Sequence, residues 1–380
     1  MMNCIINSCN KVSVFLKISL FLLFSMLTES VYGNWTEYRG GQHLPGKTTA
    51  TIPQKVKMAW SFKTGNEIKS SPIIMGNRIV VGSTDNKVYC LNLNGKLLWE
   101  FKTSNAVEAP ALIRNNTVYI GDLSGIFYAI DLVTGKQKWK YEADNQFSGA
   151  ANWWADKDKE YIIAGSYDFF LYCFDAKTGK RIWRYEAQNY LHATVAISGY
   201  HAVFGGCDGM LHVVNLRNGK AVSTQEIATY IASGASLEGN LAFVGDYDGK
   251  FSCIDYINKK TRWVFERETR KLPFIGSASI VGNSIIIGNR DRFVYCLNKV
   301  NGKILWQRNV GSPVESSPLA DNRHVLVSNM RGDLMLLSLK NGSTVWNYEL
   351  GSAVQGSPAV AYNRIVVGAK DGVIYCFDGQ

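Results

Sequence analysis

The sequence predicts an all-β protein, an eight-bladed β-propeller of four-stranded antiparallel blades. Three observations predict it. Tryptophan returns about every forty residues, at Trp60, Trp99, Trp139, Trp183, Trp263, Trp306 and Trp346, with Ser223 at the one step that lacks an indole. Between tryptophans the chain reads as short β-type runs split by Gly, Asn, Asp and Ser, the signal for tight hairpins. After residue 34 no apolar period of 3.6 runs long enough for a substantial helix. A repeat of this length marks a stack or ring of like units. Sheets that must bury both faces do so by packing around an axis.

The unit from Trp99 to Trp139 gives the elements in order. Val107 to Ile113 is an inner run, Thr117 to Ile120 a second, Ile126 to Ile130 a third, and Lys136 to Trp139 opens the outer strand. The first hairpin turns on Gly76-Asn77, Asn115-Asn116, Gly239-Asn240 or Gly282-Asn283, and the second on Asp208-Gly209, Asp248-Gly249 or Asp371-Gly372. Gly and Asn tolerate the positive φ of such turns. Outer strands begin near residues 57, 97, 137, 181, 221, 261, 304 and 344, and three-strand sets near 67, 106, 146, 190, 230, 274, 314 and 354. Both counts are eight. The chain opens on an outer strand, Lys57–Lys63, and closes on a third strand, Val373–Phe377, so the N-terminal strand completes the last blade and leaves no free edge there. Ser223 implies a weaker outer strand over Ala221–Glu226. On the innermost strands Ser71, Ala109, Gly149, Ala193, Gly234, Ser277, Ser317 and Ser357 fall at one small position, as crowding at the axis requires.

Ala129, Asp131, Thr134, Gly135 and Trp139 fit the pattern A-x-D-x-x-T-G-x-x-x-W, and Cys173 to Trp183 repeats it with Cys for Ala. This resembles the tryptophan-docking motif of the pyrroloquinoline-quinone (PQQ) repeat propellers, over about residues 57–380. The resemblance implies one of two subgroups. One comprises eight-bladed quinoprotein dehydrogenases with PQQ and Ca²⁺ on the axis. The other comprises non-enzymatic scaffolds similar to BamB of the outer-membrane assembly machinery. The compact blades and the lack of a Cys-Cys pair favour the second, so neither PQQ nor calcium is expected.

Residues 1–33 read as a secretory signal peptide, with Lys11 and Lys17 before the apolar run Ile18–Leu27, which is too short to span a bilayer. No cysteine lies near the expected cut, so no lipoprotein anchor is implied. Residues 34–56 form an arm and residues 57–380 the propeller. The expected location is the periplasm, the cell surface or the exterior, with no transmembrane segment after signal removal. Cys90, Cys173, Cys253, Cys296 and Cys376 share one third-strand position, too far apart between blades for disulfides, and read as buried apolar residues. Cys207, at a turn, is the one thiol expected at the surface.

The net charge is +10. Turn lysines account for it as well as an anionic partner would, and no nucleic-acid partner is expected. His43, His192, His201, His212 and His324 lack metal-ligand spacing, and no phosphate loop, nucleophile elbow or paired cysteines occur, so no catalytic or metal residue is assigned. One asymmetry remains. Where the chain enters each inner strand, four blades carry Ile68, Ala106, Val314 and Val354. The other four carry Phe147, Tyr190, Tyr230 and Phe274 there or one residue away. Tyr167, Phe169, Tyr247, Arg290 and Arg292 lie on nearby tips, His192 near the axis, and Arg267, Arg270 and Lys271 in a long loop. Aromatics beside arginines compose a binding hot spot. The same rings also suit a plug in the wider half of the channel. Trp153-Trp154, before the charged loop 156–160, suits a second contact or a local staple. These readings imply an exported non-catalytic scaffold for a protein or peptide partner, with an envelope or outer-membrane assembly component as the candidate. The alternatives are a quinoprotein dehydrogenase or a glycan-binding module that uses the axial channel.

Overall fold

The computed structural model describes residues 33–380 except 228 and 232, so the expected signal segment lies outside the described residues, save for Gly33. Among the described residues, thirty-two strands form eight four-stranded sheets. Blade 1 contains Ile73–Met75, Arg78–Ser83, Lys87–Leu91 and Leu97–Lys102, and blades 2 to 7 follow in chain order. Blade 8 is Ala359–Ala361, Arg364–Gly368 and Val373–Gly379, closed by the N-terminal strand Val56–Lys63. Trp60 lies opposite Cys376 there. Among the described residues the one helical turn is Tyr38–Gly40, in the arm.

The tryptophans lock blade to blade. In each blade the pairing of third and fourth strands slips by one residue beside the tryptophan position, a bulge that sharpens the local twist. Each indole N–H donates to a carbonyl outside its own blade: Trp60 to Leu93 at 2.8 Å, Trp99 to Leu132 at 2.9 Å and Trp139 to Ala176 at 3.0 Å. Trp183, Trp263 and Trp306 repeat this with Leu216, Lys299 and Leu339. The ring lies over a glycine. A Cβ on Gly135, at φ +69°, would stand 2.7 Å from Trp99. Trp346 docks instead on Pro53 of the arm. The strand that carries Ser223, Lys220–Glu226, is as long as its counterparts and keeps their register.

The five aligned cysteines are free, buried and opposite the tryptophan positions. Cys207 departs from expectation. It is buried, 5 % exposed, because its N–H donates to the Tyr190 carbonyl and draws the turn under the rim.

The small axial position also needs correction in three blades. Strand register makes Pro110, Ala150 and Thr194 the equivalents of Ser71, one residue beyond Ala109, Gly149 and Ala193. The position does more than save space. The backbone N–H of Ser277, Ser317, Ser357 and Ala150 each donates to the hydroxyl of the next blade, on Ser317, Ser357, Ser71 and Thr194.

The arm is the feature that sequence reasoning leaves blank. It crosses the propeller mouth on the first-hairpin face and satisfies the inner strands. Trp35 pairs with Ile74, and carbonyls of Thr36, Gln42, His43, Pro45 and Gly46 accept the N–H of Ile113, Ile197, Leu237, Ile280 and Ala320. Arg39 is fully buried and donates to the carbonyls of Pro318 and Ala278 and to Ser279 Oγ. Burial lowers its pKa, yet those acceptors suit a charged guanidinium. Trp153 acts as the staple: its indole donates to Glu37 at 2.7 Å, and Arg114 stacks 3.7 Å above its ring. Burial raises the Glu37 pKa against that hydrogen bond.

Candidate functional site

With one mouth sealed, the axis is open only on the second-hairpin face. A repeated wedge sets the position of every rim side chain. Ile68, Val107, Phe147, Leu191, Ile231, Phe274, Val314 and Val354 are equivalent and buried. A Cβ on Gly121 would lie 2.2 Å from Phe147, and one on Gly245 would lie 2.4 Å from Phe274. Phe147 and Phe274 are therefore packed between blades and leave the expected rim. Tyr190 and Tyr230 precede the wedge by one residue and stay on it.

The remaining aromatics form one patch over blades 3, 4 and 5. Tyr167 and Tyr190 lie 5.0 Å apart, Phe169 and Tyr190 5.2 Å, and Tyr230 and Tyr247 4.5 Å. Phe169, Tyr190, Tyr247 and Leu272 are exposed. Arg290 is tied to Glu315 at 2.7 Å and Arg267 to Asp291 at 3.1 Å. Arg270 and Arg292 are exposed and, among the described residues, carry no ion pair. At the tip of the second hairpin, Gly125, Gly209, Gly249, Gly332 and Gly372 have positive φ, and blade 1 uses Asn86. The other two blades place Phe169 (φ +75°) and Arg292 (φ +77°) in that conformation.

Below the patch lies a blind cavity of about 160 Å³. Among the described residues, those one step after the wedge form its upper ring: Lys69, Glu108, Ser148, His192, Ile275, Glu315 and Gln355. The small position forms its lower ring, and Tyr38 of the arm its floor, 3.1 Å from Ser317 Oγ. Lys69 pairs with Glu108 at 2.7 Å. His192 Nδ1 lies 2.5 Å from the Tyr167 hydroxyl and 3.2 Å from Ser148 Oγ. Burial pushes the His192 pKa below its ordinary value, against the pull of Glu108, which favours the neutral ring. Sequence reasoning finds His192 and misses the rest of this ring. The signal is positional, a non-repeating residue directly after a repeating apolar one.

The family described as outer membrane protein assembly factor BamB matches residues 57–263, 168–322 and 290–380, and so spans the whole propeller. The chain belongs to this family. Its fold is similar to that of BamB from Moraxella catarrhalis (18 % identity, 85 % of this chain and 100 % of that one, TM-score 0.73). A computationally designed protein, Ika8, is similar at 17 % identity (85 % and 99 %, TM-score 0.74). A europium-containing methanol dehydrogenase is similar at 14 % identity (91 % and 98 %, TM-score 0.72). At such identities these structures speak for the fold alone. No curated protein matches the chain. Among the described residues no helix is long and apolar enough to cross a membrane, and no group of His, Cys, Asp or Glu is arranged to hold a metal ion.

Proposed function

We propose that this chain is an exported, non-catalytic scaffold whose second-hairpin rim captures a segment of a partner protein. The observation that carries the reading is Phe169 and Arg292 in a conformation that six other blades give to glycine or asparagine. A left-handed backbone costs a residue with a β-carbon roughly 1–2 kcal/mol. Backbone strain of this kind clusters at binding sites. Here it projects a ring beside exposed Tyr190 and an unpaired guanidinium on the same face. A partner segment with an apolar anchor and a carboxylate matches that surface. The family description supports a place in the envelope, in outer-membrane protein assembly.

The quinoprotein alternative fits the cavity poorly. A tricyclic quinone bearing several carboxylates exceeds about 160 Å³, and the Lys69 cation at its wall is already paired with Glu108. Cross-linking in the native cell envelope tests the scaffold. Tyr190→Ala with Arg292→Ala should remove the captured partner and leave the melting temperature nearly unchanged. Undiminished capture by that variant would refute the rim as the binding face.

A further inference from the structure

The axial cavity is a site in its own right. The arm closes it below, so whatever binds there enters past the upper ring, where Tyr167 touches His192, and stops at Tyr38. Its volume of about 160 Å³ compares with the roughly 150 Å³ cavity that holds a benzene molecule. It is open toward the rim, so a larger ring seats there with its outward substituents in the mouth.

The wall chemistry narrows the class. Ser71, Ser357 and Thr194 each accept a backbone N–H from the neighbouring blade. Their hydroxyl protons have no acceptor among the described residues and remain free to donate into the cavity. Glu108 and Glu315 each commit Oε1 to a cation, at 2.7 Å from Lys69 and Arg290. Their Oε2 atoms make no hydrogen bond among the described residues and can accept. Gln355 offers both functions. Two hydroxyls occupy His192 Nδ1, and Nε2 makes no hydrogen bond among the described residues, so it can donate or accept according to the tautomer. The two ion pairs cancel, which disfavours a phosphate, an amino acid or any other charged guest. Donors and acceptors together around a neutral space complement a polyhydroxylated ring. The tyrosines at the mouth supply flat apolar surface for its C–H face.

We propose that the blind axial cavity is a carbohydrate subsite that takes one neutral pyranose ring through His192, Gln355 and the free hydroxyls of Ser71, Thr194 and Ser357. The site is separable from partner capture at the rim, because its polar contacts lie on the upper and lower rings rather than on Phe169, Arg270 or Arg292, and only the mouth tyrosines Tyr167 and Tyr190 are common to both.

Calorimetry and saturation-transfer NMR on the isolated chain test it, with glucose, galactose, mannose and N-acetylglucosamine as probes, and glutamate and lysine as charged comparators. At least one sugar should bind with a millimolar or lower dissociation constant. His192→Gln and Gln355→Leu should each weaken it by about tenfold, whereas Arg270→Ala with Arg292→Ala should leave it unchanged. Gln355→Leu stands alone if His192→Gln does not fold. Failure of all four sugars to bind at millimolar concentration overturns the proposal. So does tighter binding of glutamate or lysine, or sugar binding that survives both cavity variants. None of these outcomes bears on cross-linking at the rim.

Discussion

Six junctions between blades are closed by the same device, and the junction between blades 4 and 5 has none of it. At the six, an indole lies on a glycine of the next blade and donates to a carbonyl there, as Trp99 does over Gly135 and Trp183 over Gly219. Between blades 4 and 5 the indole is Ser223, and Lys259, at φ +53°, stands where Gly135 and Gly179 stand in blades 2 and 3. The two losses go together for a physical reason. Without a ring overhead a side chain has room, and without a glycine below a ring has no seat. Indole and glycine are one component distributed over two blades. The blade 7–8 junction is a third solution, in which Trp346 finds its carbonyl on Pro53 because blade 8 takes its outer strand from Val56–Lys63 and has no turn between its third and fourth strands.

The largest effect should separate the two kinds of junction directly. Trp99→Ala removes a 9 % exposed indole with its hydrogen bond and should cost about 3–5 kcal/mol in urea unfolding. Ser223→Ala, at the junction that lacks the lock, should change stability by less than about 0.5 kcal/mol. Comparable losses would mean that the tryptophans are interchangeable filling and would break the comparison.

A smaller effect sharpens it. Ser223→Trp alone should destabilise, because Lys259 occupies the seat. Lys259→Gly alone should stabilise slightly by relieving a positive φ. Together they should rebuild the lock and gain about 1 kcal/mol beyond the sum of the single changes, read as the coupling in a double-mutant cycle. Additive behaviour would show that the two positions are not one component.

The same contrast explains what was legible in the sequence. The propeller was, because each lock leaves two residue types at fixed spacing and each hairpin leaves Gly or Asn. The junction that lacks the lock was half legible, since Ser223 stood out and Lys259 did not. The arm was not legible, because it holds the blades mainly through backbone carbonyls that leave no residue signature, and only burial reveals Arg39. Phe147 and Phe274 misled because the wedge and the rim are adjacent residues, and in a strand adjacent side chains point opposite ways. Tyr190 and Tyr230 escaped that error by one position. Phe169 and Arg292 were named for their chemistry, yet the sign of φ that sets them apart emerges only from comparing eight superimposable hairpin tips.

The smallest effect concerns His192, which belongs to blade 4 beside the unlocked junction. Burial lowers its pKa in the folded chain, so the folded state resists a proton that the unfolded chain accepts near pH 6.5. The stability linked to a neutral ring is therefore complete above that pH and is lost as the pH falls toward the lower folded-state pKa. The chain should lose more stability between pH 7.5 and 5 than His192→Gln does, by less than about 1 kcal/mol. Taking the difference between the two proteins cancels the titration of the carboxylates and of the other histidines, which they share. Hydrogen exchange then locates the effect. If blade 4 yields at its unlocked side, protection at residues 191–197 should fall with pH before protection at the equivalent residues 107–113, whose blade is locked on both sides. Parallel loss in both segments would place the softness throughout the ring and deny the unlocked junction any special compliance.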